Sequence, residues 1–412
     1  MNQTPTPNVQ LRYMHDPNPW ETLDPIPKLH PVGSVLLALL VLAATLYHPA
    51  FAPHSAYSLA LFVLCAVVLA ALVRSLTAGI AATVLFLGGY LGGVALGVNG
   101  LMIGTAVVST VVAIGIGAFV ITACRSRLLW IVPVLAYAAA VLLYRDLLTA
   151  LLVLIPFPAM GLLAYCTMNN RPRVWTICLT SLFYGLCLLF GLALLQYRAG
   201  GTVSADELFR ALDALRNQAI EAMLANEQYT ALLAEQYKNA DIPIRTLVTS
   251  QVEFFFNVLP AICIVAVNLM AYTAQLICVH TYTTTGLHAL VTKTSRLFVL
   301  SVLSALLYLI CCFIAILPTE MTLFGAAICN LLIILMPGMT LVGVYKLVGD
   351  IRYGRSKVWL FILIGCAVFA PYMLIFGISL SGAMTTLTRP LITRMILKQG
   401  NHPSGSDDSH PQ

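Results

Sequence analysis

Asn268 and Gln275 stand seven residues apart in "VNLMAYTAQLI", so a helix places both amides on one face of a stretch that carries no charge. Asn257 precedes them in the same apolar run, and Asn330 lies in "AICNLLIILMPGMTLVG". Amides in hydrocarbon need hydrogen-bond partners, so these side chains are expected to face inward. The chemistry open to them is hydrogen bonding: glue between helices, or a polar lining for a small neutral or zwitterionic ligand. Pro260 and the pair Pro337 and Gly338 interrupt the helices that carry the amides and free carbonyls beside them.

Groups for harder chemistry are not concentrated in the apolar runs. An ion-driven carrier usually holds a carboxylate inside the bilayer, whereas Asp146, Glu253, Glu320 and Asp350 all sit at run boundaries. This disfavours proton-coupled antiport, while neutral side chains and carbonyls still suit sodium. The chain has no G-x-x-x-x-G-K-[ST], H-E-x-x-H or G-x-S-x-G, so nucleotide hydrolysis would belong to a partner and no catalytic residue is assigned. His48 with His54 and His280 with His288 are only pairs, so neither a metal nor a cofactor is expected. The 11 cysteines contain no CxxC and fall within or beside apolar runs, as small hydrophobes do.

The elements that must position these residues are membrane helices. Of 412 residues 60% are hydrophobic and only 9% charged, and mean hydropathy is +0.91. A soluble chain of this length could not cover its surface with so few charges. Apolar runs of about 20 residues recur without alternation, which excludes barrel strands. The expected fold is all-α: a polytopic transmembrane helical bundle of about 11 spans by the bilayer-length criterion. The spans are placed near 33–52, 56–73, 77–98, 100–123, 128–144, 147–167, 174–196, 254–279, 297–317, 321–346 and 358–380.

Five segments follow: a proline-rich cytoplasmic tail over 1–32, an N-terminal bundle over 33–196, an extracytoplasmic helical segment over 197–252, a C-terminal bundle over 253–381 and a polar tail over 382–412. Arg74, Arg125, Arg127, Arg171, Arg173, Lys293, Arg296, Lys346, Arg352, Arg355 and Lys357 share one side of the membrane, against Arg145 in the short loops of the other. Lys and Arg stay on the cytoplasmic side, which puts the N-terminus in the cytoplasm. The same bias accounts for the net charge of +6 without nucleic acid. Arg389, Arg394 and Lys398 break the pattern, so "TTLTRPLITRMILK" reads as an interfacial segment or marks a miscounted span.

The segment "SADELFRALDALRNQAIEAMLANEQYTALLAEQYKN" alone has soluble character. Ser204 and Glu207 have capping-box spacing, and Leu208, Leu212, Leu215, Ile220, Met223 and Leu224 form a helical stripe. It reads as an acidic amphipathic helix or hairpin, either a connector on its own membrane domain or a gate or partner-binding element.

The stretch "GGYLGGVALGVNGLMIGTA" holds seven glycines. Gly88 with Gly92, Gly89 with Gly93, Gly93 with Gly97, and Gly100 with Gly104 stand four apart, a groove for close backbone approach between helices. "VNG" supplies the turn of a tight hairpin, expected to be central to the bundle. The alternative is that glycine-weakened helices unwind around a substrate.

"FNVLPAICIVAVNLMAYTAQLI", "RLFVLSVLSALLYLI" and "AAICNLLIILMPGMTLVGVYKLV" resemble, in order and character, the YybS-like family of bacterial membrane proteins, whose function is not established. Pro260, Asn330, Gly338 and Gly343 look like the family's proline-bearing span and the asparagine and glycines of its later span. The family's glycine-rich half in turn looks like the substrate-binding components of energy-coupling-factor transporters. The resemblance implies a small-solute-binding component in a bacterial plasma membrane that borrows an ATPase-containing module. The competing expectation is a non-catalytic scaffold whose outside helix and basic loops dock envelope-assembly or division proteins. In both readings the surroundings are the lipid bilayer.

Overall fold

The computed structural model describes residues 31–46, 55–95, 97–124, 131–238, 242–286, 298–316, 323–352 and 371–400, and every regular element among them is a helix. In chain order they are α1 (Pro31–Leu46), α2 (Ser55–Val68, closed by a π-helical turn over Leu69–Val73), α3 (Leu76–Ala95), α4 (Gly100–Cys124), α5 (Ile131–Tyr144) and α6 (Leu147–Leu151). After a 3₁₀ turn come α7 (Pro156–Met168), α8 (Arg173–Gly200), α9 (Ala205–Leu224), α10 (Glu227–Gln236), α11 (Ile244–Thr284), α12 (Val302–Ile316), α13 (Leu323–Arg352) and α14 (Pro371–Gly400). Only helices satisfy every backbone group within one apolar segment, which is why these runs adopt no other form. Among the described residues 7 helical stretches are long and apolar enough to cross a membrane, with shorter apolar helices at Val35–Leu46, Ile131–Tyr144 and Val302–Ala315. The chain is a helical membrane bundle.

Polar contacts between helix ends show that successive helices alternate in direction. The Tyr144 hydroxyl donates to Leu46 O at 2.5 Å, and Arg198 reaches Asp146 at 3.2 Å, so these ends share one face of the bundle. At the opposite face Thr284 donates to Leu72 O at 2.5 Å and the Tyr282 hydroxyl donates to Thr122. Arg74 and Arg171 lie beside this second face.

The centre of the N-terminal bundle is α4. Its span is 78% buried against 28% for its hairpin partner α3, because α1, α2, α3, α7 and α11 all pack around it. Phe119 meets the Tyr282 ring edge-on at 5.0 Å, and Gly115 lets Ala274 and Ile277 of α11 approach the α4 backbone.

Two helices overrun their expected spans. α11 has 41 residues, about 60 Å at 1.5 Å per residue and twice a bilayer core. Its first turns project, and Ile220 of α9 and Leu233 of α10 bury against Val248 and Val252 there. The segment drawn at 197–252 therefore begins inside α8 and ends inside α11. The expected capping box does not form: Ser204 is the N-cap of α9 without a side-chain cap bond, and Gln196 takes both Ser204 O (2.7 Å) and Glu207 (3.3 Å). α14 likewise runs through the boundary at 381 to Gly400, so residues 382–400 are helix rather than tail. Thr385, Thr386 and Thr388 return their hydroxyls to the helix's own carbonyls, so these polar groups find partners within the helix.

In the C-terminal bundle α12, α13 and α14 pack together, with Tyr308 and Ser379 hydrogen-bonded at 2.6 Å in its core. A Cβ at Gly382 would overlap Met339 O, so α13 and α14 approach at backbone distance. Residues 1–30, 358–370 and 401–412, and with them His48, His54 and His288, lie outside the described residues.

Candidate functional site: a polar seam inside the bundle

α8 is amphipathic in reverse. Its buried face carries Arg173, Thr176, Ile177, Thr180, Ser181 and Tyr184 at helical spacing, while Trp175, Leu182, Phe183, Leu189 and Phe190 are exposed. In water such a helix would turn the other way. Within a bilayer the apolar face meets lipid and the hydroxyls turn toward α7 and α11. Thr176 lies against Cys166 of α7, and Tyr184 against Thr110 of α4.

Most buried hydroxyls in this protein are satisfied by their own helix. Thr122, Thr167, Thr176, Thr273 and Thr281 each donate to the carbonyl four residues back. Thr180 and Ser181 do not: among the described residues their oxygens are buried without a hydrogen-bond partner, as are Gln275 Oε1 on α11 and Thr105 on α4. A buried polar atom left unpaired costs about 1–3 kcal/mol, so each of these positions gains by meeting a donor or acceptor from elsewhere. Among the described residues the buried polar side chains are Thr, Ser, Gln275 and Arg173, with no Asp or Glu. What the seam offers is neutral hydrogen bonding with one fixed positive charge. That charge is held by an aromatic face: the Arg173 guanidinium lies 5.0 Å from the Tyr272 ring centroid, and the Tyr272 hydroxyl is 3.4 Å from that of Tyr345 on α13.

At the other end of α8, outside the spans, Asp146 caps α6. Its carboxyl is held below the usual aspartate range first by the Thr149 hydroxyl, against an opposing desolvation, with the Leu148 amide and the Arg198 guanidinium adding to the lowering.

The polar residues singled out in the sequence do not form one lining. Gln275 is 2% exposed and lies on α11, which packs against α8. Asn268, on the same helix face, is half-buried and makes no hydrogen bond among the described residues. Asn330 is instead engaged between helices: its Oδ1 accepts from Ala261 N at 3.2 Å, and its Nδ2 donates to Asn257 O at 2.9 Å and Ala326 O at 2.8 Å. Pro260 lies between the two α11 groups that it holds. The prolines do not interrupt their helices as expected: α11 runs through Pro260 and α13 through Pro337 and Gly338, because each proline removes one backbone donor while the rest of the ladder continues, and Leu300 packs beside Gly338.

The glycines divide by position. Gly89 faces Gly104 and Gly93 faces Gly100; a Cβ at Gly100 would come within 2.5 Å of Tyr90 O and one at Gly104 within 2.8 Å of Phe86 O. Gly88 and Gly92 meet open space. Gly97 takes no part in the groove, contrary to the expectation from its spacing. At φ +69° it ends α3, with Val98 N bonded to Gly93 O and Gly97 N to Val94 O, a left-handed helix stop that favours glycine.

The α8 stripe was missing from the sequence reading, although its spacing of three and four was there to find. Serine and threonine in an apolar run are ordinary, and only their shared inward direction sets them apart. Comparison with protein-family models, curated proteins and solved structures gives no match to this chain.

Proposed function

We propose that this protein binds a small polar solute in the α8–α11 seam and serves as a transport component whose energy comes from an ATPase-containing partner. The carrying observation is that Thr180, Ser181 and Gln275 keep buried oxygens without partners among the described residues, in a bundle where comparable hydroxyls are satisfied locally. A solute supplying those hydrogen bonds recovers the penalty, which makes the seam a binding surface. No catalytic role is proposed. The basic-residue bias supports a cytoplasmic N-terminus, and the order of segments supports kinship with YybS-like proteins of the bacterial plasma membrane.

The scaffold reading draws on a different observation. α9 and α10 ride on the projecting end of α11 and still expose Phe209, Leu215 and Leu232. The two readings separate when the protein is extracted from its host in mild detergent and its bound small molecules and proteins are identified by mass spectrometry. Transport expects a polar solute in the wild type that is lost in Gln275→Leu and Thr180→Val, together with an ATPase. Envelope proteins in both, with no solute in either, would overturn it.

A further inference from the structure

Asn330 does something in this fold that interhelical glue does not require. Within a helix the N–H of Ala261 and the carbonyl of Asn257 are each other's partners, and the Asn330 amide bonds to both. Pro260, between them, has no N–H to give Phe256 O, and its ring presses on the turn before it. The amide of α13 is thus a splice laid across the weakest turn of α11. Its third bond, to Ala326 O of α13 itself, fixes the side chain to its own helix.

The position of that turn matters. Upstream of Pro260, α11 carries the α9–α10 pair through Val248 and Val252; downstream it carries Tyr272 and Gln275. α13 touches α11 again through the Tyr272 and Tyr345 hydroxyls, and Pro337 lies inside α13 midway between Asn330 and Tyr345, where it removes one backbone donor. On α11 the proline thus sits within the first of these contacts, and on α13 the proline sits between the two.

We propose that Asn330 is a detachable splice: it closes the proline turn of α11 while the C-terminal bundle is seated, and its withdrawal lets α11 bend at Pro260. That bending also opens the polar seam, a consequence that rests on the binding reading above.

The test is hydrogen–deuterium exchange of the full-length protein in lipid nanodiscs, read over residues 255–265. Asn330→Leu is expected to speed exchange there about tenfold, the order for losing a part-buried hydrogen bond. Pro260→Ala restores the missing donor, so in the same chain it is expected to return exchange to near the wild-type rate. Unchanged exchange in Asn330→Leu, or a Pro260→Ala background in which Asn330→Leu costs as much as before, would overturn the splice. If Asn330→Leu does not fold, Asn330→Asp keeps the acceptor for Ala261 and removes the donor to Asn257. It is expected to leave the Ala261 amide protected, and rapid exchange at Ala261 would overturn the proposal. No solute enters this experiment, so its failure leaves the binding reading standing, and a seam that binds nothing leaves the splice standing.

Discussion

A methyl group on Gly104 would meet Phe86 O at 2.8 Å, whereas one on Gly88 or Gly92 would meet nothing within 4 Å. Backbone cannot move aside as a flexible side chain can, so Gly104→Val is expected to destabilise the protein by about 1–3 kcal/mol through overpacking. Gly88→Ala and Gly92→Ala instead reduce the backbone entropy lost on forming the helix and are expected to gain about 0.5–1 kcal/mol each. Denaturant titration in mixed micelles reads both signs. Gln275→Leu belongs to the same scale: replacing an unpaired buried amide oxygen with an apolar side chain should raise solute-free stability by about 1–3 kcal/mol, while function suffers. A loss of stability would mean that Gln275 is a structural bond. Asp146 carries the pH dependence. Its carboxyl is held below the ordinary 3.8, so its stabilising contribution is complete above that value and is lost as pH falls through the lower folded value. The difference in melting temperature between wild type and Asp146→Asn should be present at pH 7 and shrink progressively below pH 3.8.

At the scale of elements, helix ends that look alike in sequence behave differently. Asn226 accepts from Tyr229 N at 3.1 Å and caps α10, whereas Ser204 makes no side-chain cap for α9. Asn226→Ala should cost about 1 kcal/mol, and Ser204→Ala close to nothing, a contrast measurable as protease susceptibility of the 205–236 pair. The capping box was legible as spacing, but Gln196 near the end of α8 donates to the Glu207 carboxylate that the box would use. Asn99 behaves as its turn position suggests, its Oδ1 accepting from Leu101 N at 3.0 Å at the start of α4. The length of α11 was less legible, because "IRTLVTSQVEFF" is too polar to count as span and too regular to be a loop. It becomes helix by packing, since α9 and α10 cover Val248 and Val252.

For the whole molecule, the projecting α9–α10 pair and the seam are separable. Among the described residues the pair covers Val248 and Val252 at the end of α11, with Ile244 and Phe256 packed beside them, and the seam lies downstream among α7, α8 and α11. Deleting residues 204–239 with a short linker should leave a detergent-stable bundle that retains solute and loses any protein bound through α9 or α10. Co-purification from the host measures both at once. Loss of solute in this variant would place the pair in the binding site, against the arrangement described here.

From composition and run length alone it follows that the chain is a membrane protein built of helices, because bilayer thickness and backbone hydrogen bonding leave no other form for such segments. The hairpin of α3 and α4, the turn at Asn99 and the inward place of Gln275 were readable in the same way. Which face of α8 points inward was not. Lipid and protein interior are equally apolar, so a membrane helix carries little hydropathy signal for its inner side. Only packing shows that Thr180 and Ser181 turn toward the bundle while Phe183 and Phe190 meet lipid. The same holds for the asparagines: the residue type demanded a partner, and the crossing of α13 over Pro260 decided that Asn330 would find one in the backbone of α11.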